Sequence, residues 1–149
     1  MDIKSKEARS ANMRLIKHKN TKPEIYFRKL LFSNGFRYRI AVNTIPGHPD
    51  IFLKKFNTAI FVHGCFWHRH ENCKYSYMPK SRITFWEKKF SDNITRDRIV
   101  QNELAAQGVR QLIVWECTIR KMVKSPDFEC EILNQCIEFL NSDQVFLIL

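Results

Sequence analysis

The stretch FVHGCFWHRHENC, residues 61–73, gathers three of the chain's five histidines and two of its five cysteines around the adjacent pair Phe66–Trp67. Soft donors at short spacing are what a metal needs. Cys65, His70 and Cys73 follow the pattern C-x4-H-x2-C, and structural zinc takes four Cys or His ligands in a tetrahedron. Cys117, which closes the distant apolar run VRQLIVWEC, is the candidate fourth ligand. His63 or His68 could stand in for His70, and Cys117 could instead be a buried core thiol. Cys130 and Cys136 fall within a helical pattern and read as core packing.

Oxygen donors would serve a second chemistry. Asp50 follows Pro49 where a short strand is expected to begin. Magnesium takes oxygen ligands and keeps several waters. One carboxylate and a backbone carbonyl from a facing strand would be enough to hold it. An Asp after Pro is also an ordinary turn residue. His63 and His68 are candidate general bases, because imidazole titrates near physiological pH; the alternative for each is a structural histidine bonded to backbone. Phe66, Trp67 and Trp86 lie among basic and polar residues. Apolar side chains wedge between base steps in DNA-bending proteins, and plain core packing is the competing account.

Charge narrows the partner. The 149 residues include 25 basic and 15 acidic side chains, a net charge of +10. That excess favours a polyanion, with DNA or RNA first. No strongly amphipathic basic helix carries most of the charge, so an anionic membrane surface fits less well. No apolar run reaches the roughly 18 residues of a membrane span. The N-terminal MDIKSKEARSANMRLIKHKN has no apolar secretory core, so a cytoplasmic location is expected. Five cysteines, an odd number, argue there against a disulfide framework.

The elements that must carry these residues follow from pattern. Residues 5–17 fit a basic helix with a narrow apolar stripe, or an arm that orders on a partner. In TKPEIYFRKLLFSNG, Thr21 is the expected N-cap and Glu24 completes a capping box. Tyr26, Phe27, Leu30 and Leu31 form an apolar face, and Gly35 ends the helix. FRYRIAV (36–42) reads as a strand, NTIPGH as a turn, PDIFLKK and TAIFVHG as two more strands in a hairpin. The segment from Cys65 to Pro79 is irregular. Residues 81–108 read as one long helix, or one broken near 91–93, ended by Gly108. VRQLIVWEC is a core strand parallel to TAIFVHG, residues 127–141 are a helix, and QVFLIL is a candidate last strand. The expected fold is a single α/β domain, a mixed central sheet flanked by helices.

Taken in order, RSANMR, PGHPD, FVHGCFWHRH, FWEKK-F-x2-N, RD and VWEC resemble the very-short-patch repair (Vsr) DNA mismatch endonucleases from about Arg9 to Cys117. The resemblance implies a restriction-endonuclease-like fold with a structural zinc site: an N-terminal DNA-contacting arm, 1–20, and a nuclease domain, 21–149. It implies an enzyme that nicks duplex DNA 5′ to the thymine of a T:G mismatch, as left by deamination of 5-methylcytosine. By position, Asp50 is similar to the magnesium-binding aspartate. Val62 is similar to a residue whose carbonyl ligates magnesium. His68 is similar to the general base, His63 to a second active-site histidine, and Glu24 to an acid near the hydrated metals. Cys65, His70, Cys73 and Cys117 correspond to the zinc ligands. Phe66, Trp67 and Trp86 correspond to major-groove intercalators and Met13 to a minor-groove wedge. A T:G wobble pair stacks less firmly, so a wedge can test for it. The family also implies a monomer in the bacterial cytoplasm, acting at the nucleoid and meeting a MutL-type protein.

This chain departs from the family pattern in three ways. Arg69 and Glu71 stand in a run that is otherwise histidine, and one residue is inserted before Cys73. The PD motif lacks the second acid and lysine of the usual nuclease trio, so base catalysis by histidine would replace the lysine route. Two other readings use the same residues. One is a restriction nuclease that cuts paired duplex on both strands. The other is a mismatch-binding protein without catalysis, against which Asp50 and His68 argue.

Overall fold

The computed structural model describes residues 20–149. Residues 1–19 carried the expected basic helix, most of the arm 1–20 and the wedge Met13; all of these lie outside the described residues, apart from Asn20. The first element is α1, Lys22–Ser33. Its cap is as expected at one end of the box: the Glu24 N–H donates to Thr21 Oγ1 at 3.4 Å. The return bond differs. The Glu24 carboxylate accepts from the Asn20 N–H, at 2.9 Å, one residue earlier than a capping box requires. At the other end, Gly35 adopts φ +88°, the left-handed conformation that follows a helix C-cap.

The sheet has four strands in the order β1–β2–β3–β4. β1 (Ile51–Leu53) runs antiparallel to β2 (Thr58–His63), joined by a short 3-10 turn, Lys54–Phe56. β3 (Arg110–Trp115) lies parallel to β2, and β4 (Phe146–Ile148) parallel to β3. The crossover between β2 and β3 contains α2, Ile83–Ala106, unbroken through residues 91–93. After β3 come α3 (Glu116–Lys124) and α4 (Pro126–Leu140). Both sheet faces are covered. On one, Phe27 of α1, Ile119 and Met122 of α3 and Phe139 of α4 pack on Ile60, Leu112 and Val114. On the other, Leu104 of α2 packs with Phe52, Ala59 and Val109.

Three expectations need correction. The segment 36–42 is not a strand; it makes one bridge, Arg39 with Phe52. β1 is only three residues long, and Ala41 turns to φ +55°, so no ladder can extend. Cys117 does not end a strand: β3 stops at Trp115 and Cys117 sits in the first turn of α3, a helix that the apolar pattern did not reveal. Cys130 is exposed rather than packed in the core, unlike Cys136.

The C-terminal layer is tied down by one side chain. The Arg110 guanidinium donates to the carbonyls of Leu140, Ser142 and Gln144 at 2.9–3.2 Å, and to that of Phe139. The Phe139 and Leu140 carbonyls belong to the last turn of α4, where no intrahelical donor remains, and those of Ser142 and Gln144 to the segment that leads into β4. Among the described residues no helix is long and apolar enough to cross a membrane.

Candidate active site

A cleft of about 1080 Å³ opens at the carboxyl ends of β2 and β3, between α1, α2 and α3. Its floor is set by the β1–β2 hairpin. Ile51 faces Ile60, so Asp50 arrives opposite Phe61, and its carboxylate reaches one residue on to accept the Val62 N–H at 2.7 Å. The N–H and C=O of a strand residue point to the same side, so the Val62 carbonyl also faces the Asp50 edge. The PGHPD turn is what brings Asp50 in. Gly47 has φ +82°, and a Cβ there would lie 2.4 Å from Val100 Cγ1 and 3.2 Å from the Phe61 ring. Glycine is required both for the backbone and for the space.

Glu24 and Asp50 bring two acids together. Burial and the Glu24 carboxylate push the Asp50 carboxyl up to about 7, although the Val62 N–H and His68 act in the opposite direction. Two clustered carboxyls beside a backbone carbonyl form an oxygen donor set that a hard divalent cation would neutralise.

The two histidines take different parts. His63 is buried and its ring stacks on His68, centroids 3.8 Å apart and 5° from parallel. Burial, then the neighbouring His68, lowers its pKa to about 3, so it stays neutral. His68 is partly open to the cleft. Its Nδ1 is 2.7 Å from Asp97 Oδ2. An ionised carboxylate only accepts, so Nδ1 would donate to it, and in a neutral imidazole Nε2 is then the lone-pair acceptor. His63, His68 and Asp97 also lie close enough to share a metal, but the short His68–Asp97 bond already accounts for their approach.

Asp97 is a residue that sequence reasoning missed. The motif RD contains it, without an assigned role, and one helical turn earlier comes Asn93 of the motif F-x2-N. The Asn93 amide donates to the Trp67 carbonyl at 3.0 Å. These two α2 residues, four apart on one helix face, therefore grip consecutive residues of the loop. Arg69 does similar work from within it, donating to the carbonyls of Phe66, Ser76 and Tyr77, each at 3.1 Å, with its guanidinium 3.8 Å above the Phe90 ring.

Cys65, His70, Cys73 and Cys117 converge, their donor atoms all within 4.8 Å of one another. The inserted residue before Cys73 has not displaced it. Cys117 reaches the cluster from the first turn of α3, where its N–H donates to Cys65 Sγ at 3.4 Å. His70 stacks on Trp115 at 4.1 Å. Three thiols and an imidazole at this spacing suit a tetrahedral soft-ligand ion. Burial pushes the Cys65 thiol up to about 12, so the thiolate would need a cation to form.

The aromatics form one cluster. Phe66 contacts Trp67, Tyr77, Trp86 and Phe90 with ring centroids 5.1–5.4 Å apart. Trp67 lines the cleft, whereas Phe66 and Trp86 do not. Beside them Tyr77, Met78, Ile83 and Phe85 are exposed, an apolar rim of which only Phe85 falls in a quoted motif.

Comparison with known proteins identifies the family. A family model described as DNA mismatch endonuclease Vsr matches residues 1–74. DNA mismatch endonuclease Vsr of Escherichia coli is 39% identical over 126 residues, 85% of this chain and 80% of that protein. The chain belongs to the Vsr family. Other relatives are called type II nicking enzymes. V.NmeAIP of Neisseria meningitidis is 43% identical over 119 residues, covering 80% of this chain and 84% of its own length. V.XorIIP of Xanthomonas oryzae is 42% identical over 118 residues, covering 79% and 86%. Membership in the Vsr family places the chain among the endonucleases.

Proposed function

We propose that the protein nicks duplex DNA on the 5′ side of the thymine in a T:G mismatch, opening a very short repair tract. The observation that carries this reading is the convergence of the Asp50–Val62 edge and the His68–Asp97 pair on one cleft, in a member of a mismatch endonuclease family. Asp50 and the Val62 carbonyl would hold magnesium, with Glu24 beside them. That ion, when bound, would polarise the phosphate and stabilise the leaving oxygen. His68 Nε2 accepts the proton of the attacking water as its oxygen bonds to phosphorus and the phosphodiester P–O bond breaks. Asp97 holds the imidazole in that tautomer, and neutral His63 fixes its plane by stacking. Cys65, His70, Cys73 and Cys117 would hold a structural zinc that secures the loop carrying the base.

In the same reading Phe66, Trp67 and Trp86 stack beside the mismatch from the major groove, and Met13 enters from the minor groove. Residues 1–20 are a DNA-contacting arm and 21–149 a nuclease domain of restriction-endonuclease-like architecture. The enzyme acts as a monomer on the nucleoid in the bacterial cytoplasm and hands its nick to repair through a MutL-type protein.

The test is a nicking assay on end-labelled duplexes with T:G or T:A at one position, in varied flanking sequence, with magnesium or EDTA. The expected result is magnesium-dependent cutting of the T strand at T:G alone. Cutting both strands of the T:A duplex would replace this reading with a restriction nuclease. Preferential binding of T:G without cutting in any context would leave a recognition protein.

A further inference from the structure

A second recess lies beside the Cys/His cluster, about 470 Å³ in volume and outside the cleft. Lys74 lines it from the loop, and Arg120, Lys121 and Lys124 from α3. No carboxylate lines it among the described residues. Among the described residues, Glu71 is exposed on the same loop, and Glu116 is taken up by Arg120 at 2.7 Å. The cations are held in place. Lys74 and Arg120 both sit over the Tyr75 ring, at 5.1 and 4.8 Å, and Lys121 lies 4.2 Å above Phe128. Like charges gathered on a fixed surface repel one another unless an anion accompanies them.

Two features decide which anion. Arg120 lines this recess and the cleft alike, so the two share a wall. From Arg120 to Lys124, α3 advances about 6 Å, close to the axial rise of two nucleotide steps of a duplex, about 3.4 Å each. We propose that the α3–Lys74 face is a second contact for the phosphate backbone of the same duplex, beyond the base pairs seated in the cleft. The surface would track one strand by charge, without reading sequence. It rests on the reading that duplex DNA occupies the cleft.

The test measures binding by fluorescence anisotropy in EDTA, with nicking in magnesium scored separately. Two T:G duplexes are used, one of about one helical turn and one of about three turns. Wild type should show a steeper fall of log K with log salt on the long duplex than on the short one. In K74Q/K121Q/K124Q that difference should shrink by up to about 3 in slope, near 0.9 for each phosphate no longer neutralised. Binding and nicking of the short duplex should be unchanged. Lys54 and Lys55 lie at the far end of the hairpin, so K54Q/K55Q should leave both slopes alone, and a melting curve confirms that each variant folds. Equal slopes for the two duplexes in wild type would overturn the proposal, as would a triple variant indistinguishable from wild type on the long duplex. Because binding is the readout, failure of the nuclease reading appears in nicking and failure of this one in the slopes.

Discussion

At the residue scale, the proposed catalysis turns on a pair 29 positions apart, His68 and Asp97. Asp97→Asn should lower the nicking rate by about 100-fold or more, within the range of a general-base contribution, with DNA affinity little changed. Asp97 acts through His68, so adding Asp97→Asn to His68→Ala should cost almost nothing further in single-turnover assays. Asp50 makes a pH prediction. Its folded pKa of about 7 exceeds the ordinary 3.8, so without metal the native state binds more protons across that interval. Stability is then full below 3.8 and is lost as pH rises through about 7. In EDTA, Asp50→Asn should melt higher than wild type by a margin that grows over this interval and then levels off; a margin independent of pH would refute the account. Asp50 and His68 take their roles in the sequence from the family resemblance, because on its own an Asp after Pro is an ordinary turn residue and a lone His a structural one. Asp97 takes none, because an acid on an exposed helix usually reads as a solvated face. Arg69 looked like a lost histidine, and only the folded loop shows the three carbonyls it binds.

At the element scale, one glycine sets the approach of the turn that carries Asp50. Gly47→Ala should cost about 1 kcal/mol for a left-handed alanine and a further ~1–3 kcal/mol for the contact with Val100 and Phe61. Urea denaturation would measure both. In a Val100→Ala background the second cost should largely vanish, giving a clear coupling energy between the two sites. The hairpin, the long crossover helix and the parallel β2–β3 pair were legible because apolar period and turn residues agreed. The strand expected at 36–42 failed because its alternation of apolar and charged residues found only a three-residue partner. α3 was missed because VRQLIVWEC runs apolar into a helix with no Pro or Gly to mark the change.

At the scale of the whole molecule, the Cys/His cluster joins the loop after β2 to the helix after β3. Cys73→Ala should reduce bound zinc, measured by mass spectrometry, and lower the melting temperature, since metal binding free energy is folding free energy. Cys130→Ala, on an exposed position of α4, should change neither. The α/β layering was readable in the sequence because the order of elements permits few arrangements; the meeting of cleft and basic recess on α3 depended on a helix not foreseen. The parallel β2–β3 pair also has a consequence in time. Its strands are separated by the whole loop and α2, and contacts of such span form slowly. During synthesis or refolding, the local contacts of the helices and of the hairpin are expected to form before the cleft. Until β3 docks, TAIFVH has only the short β1 beside it and QLIVW lacks β2, the kind of surface on which chains associate wrongly. Activity should therefore return only with the slowest phase of refolding, and the yield of enzyme is decided in that interval.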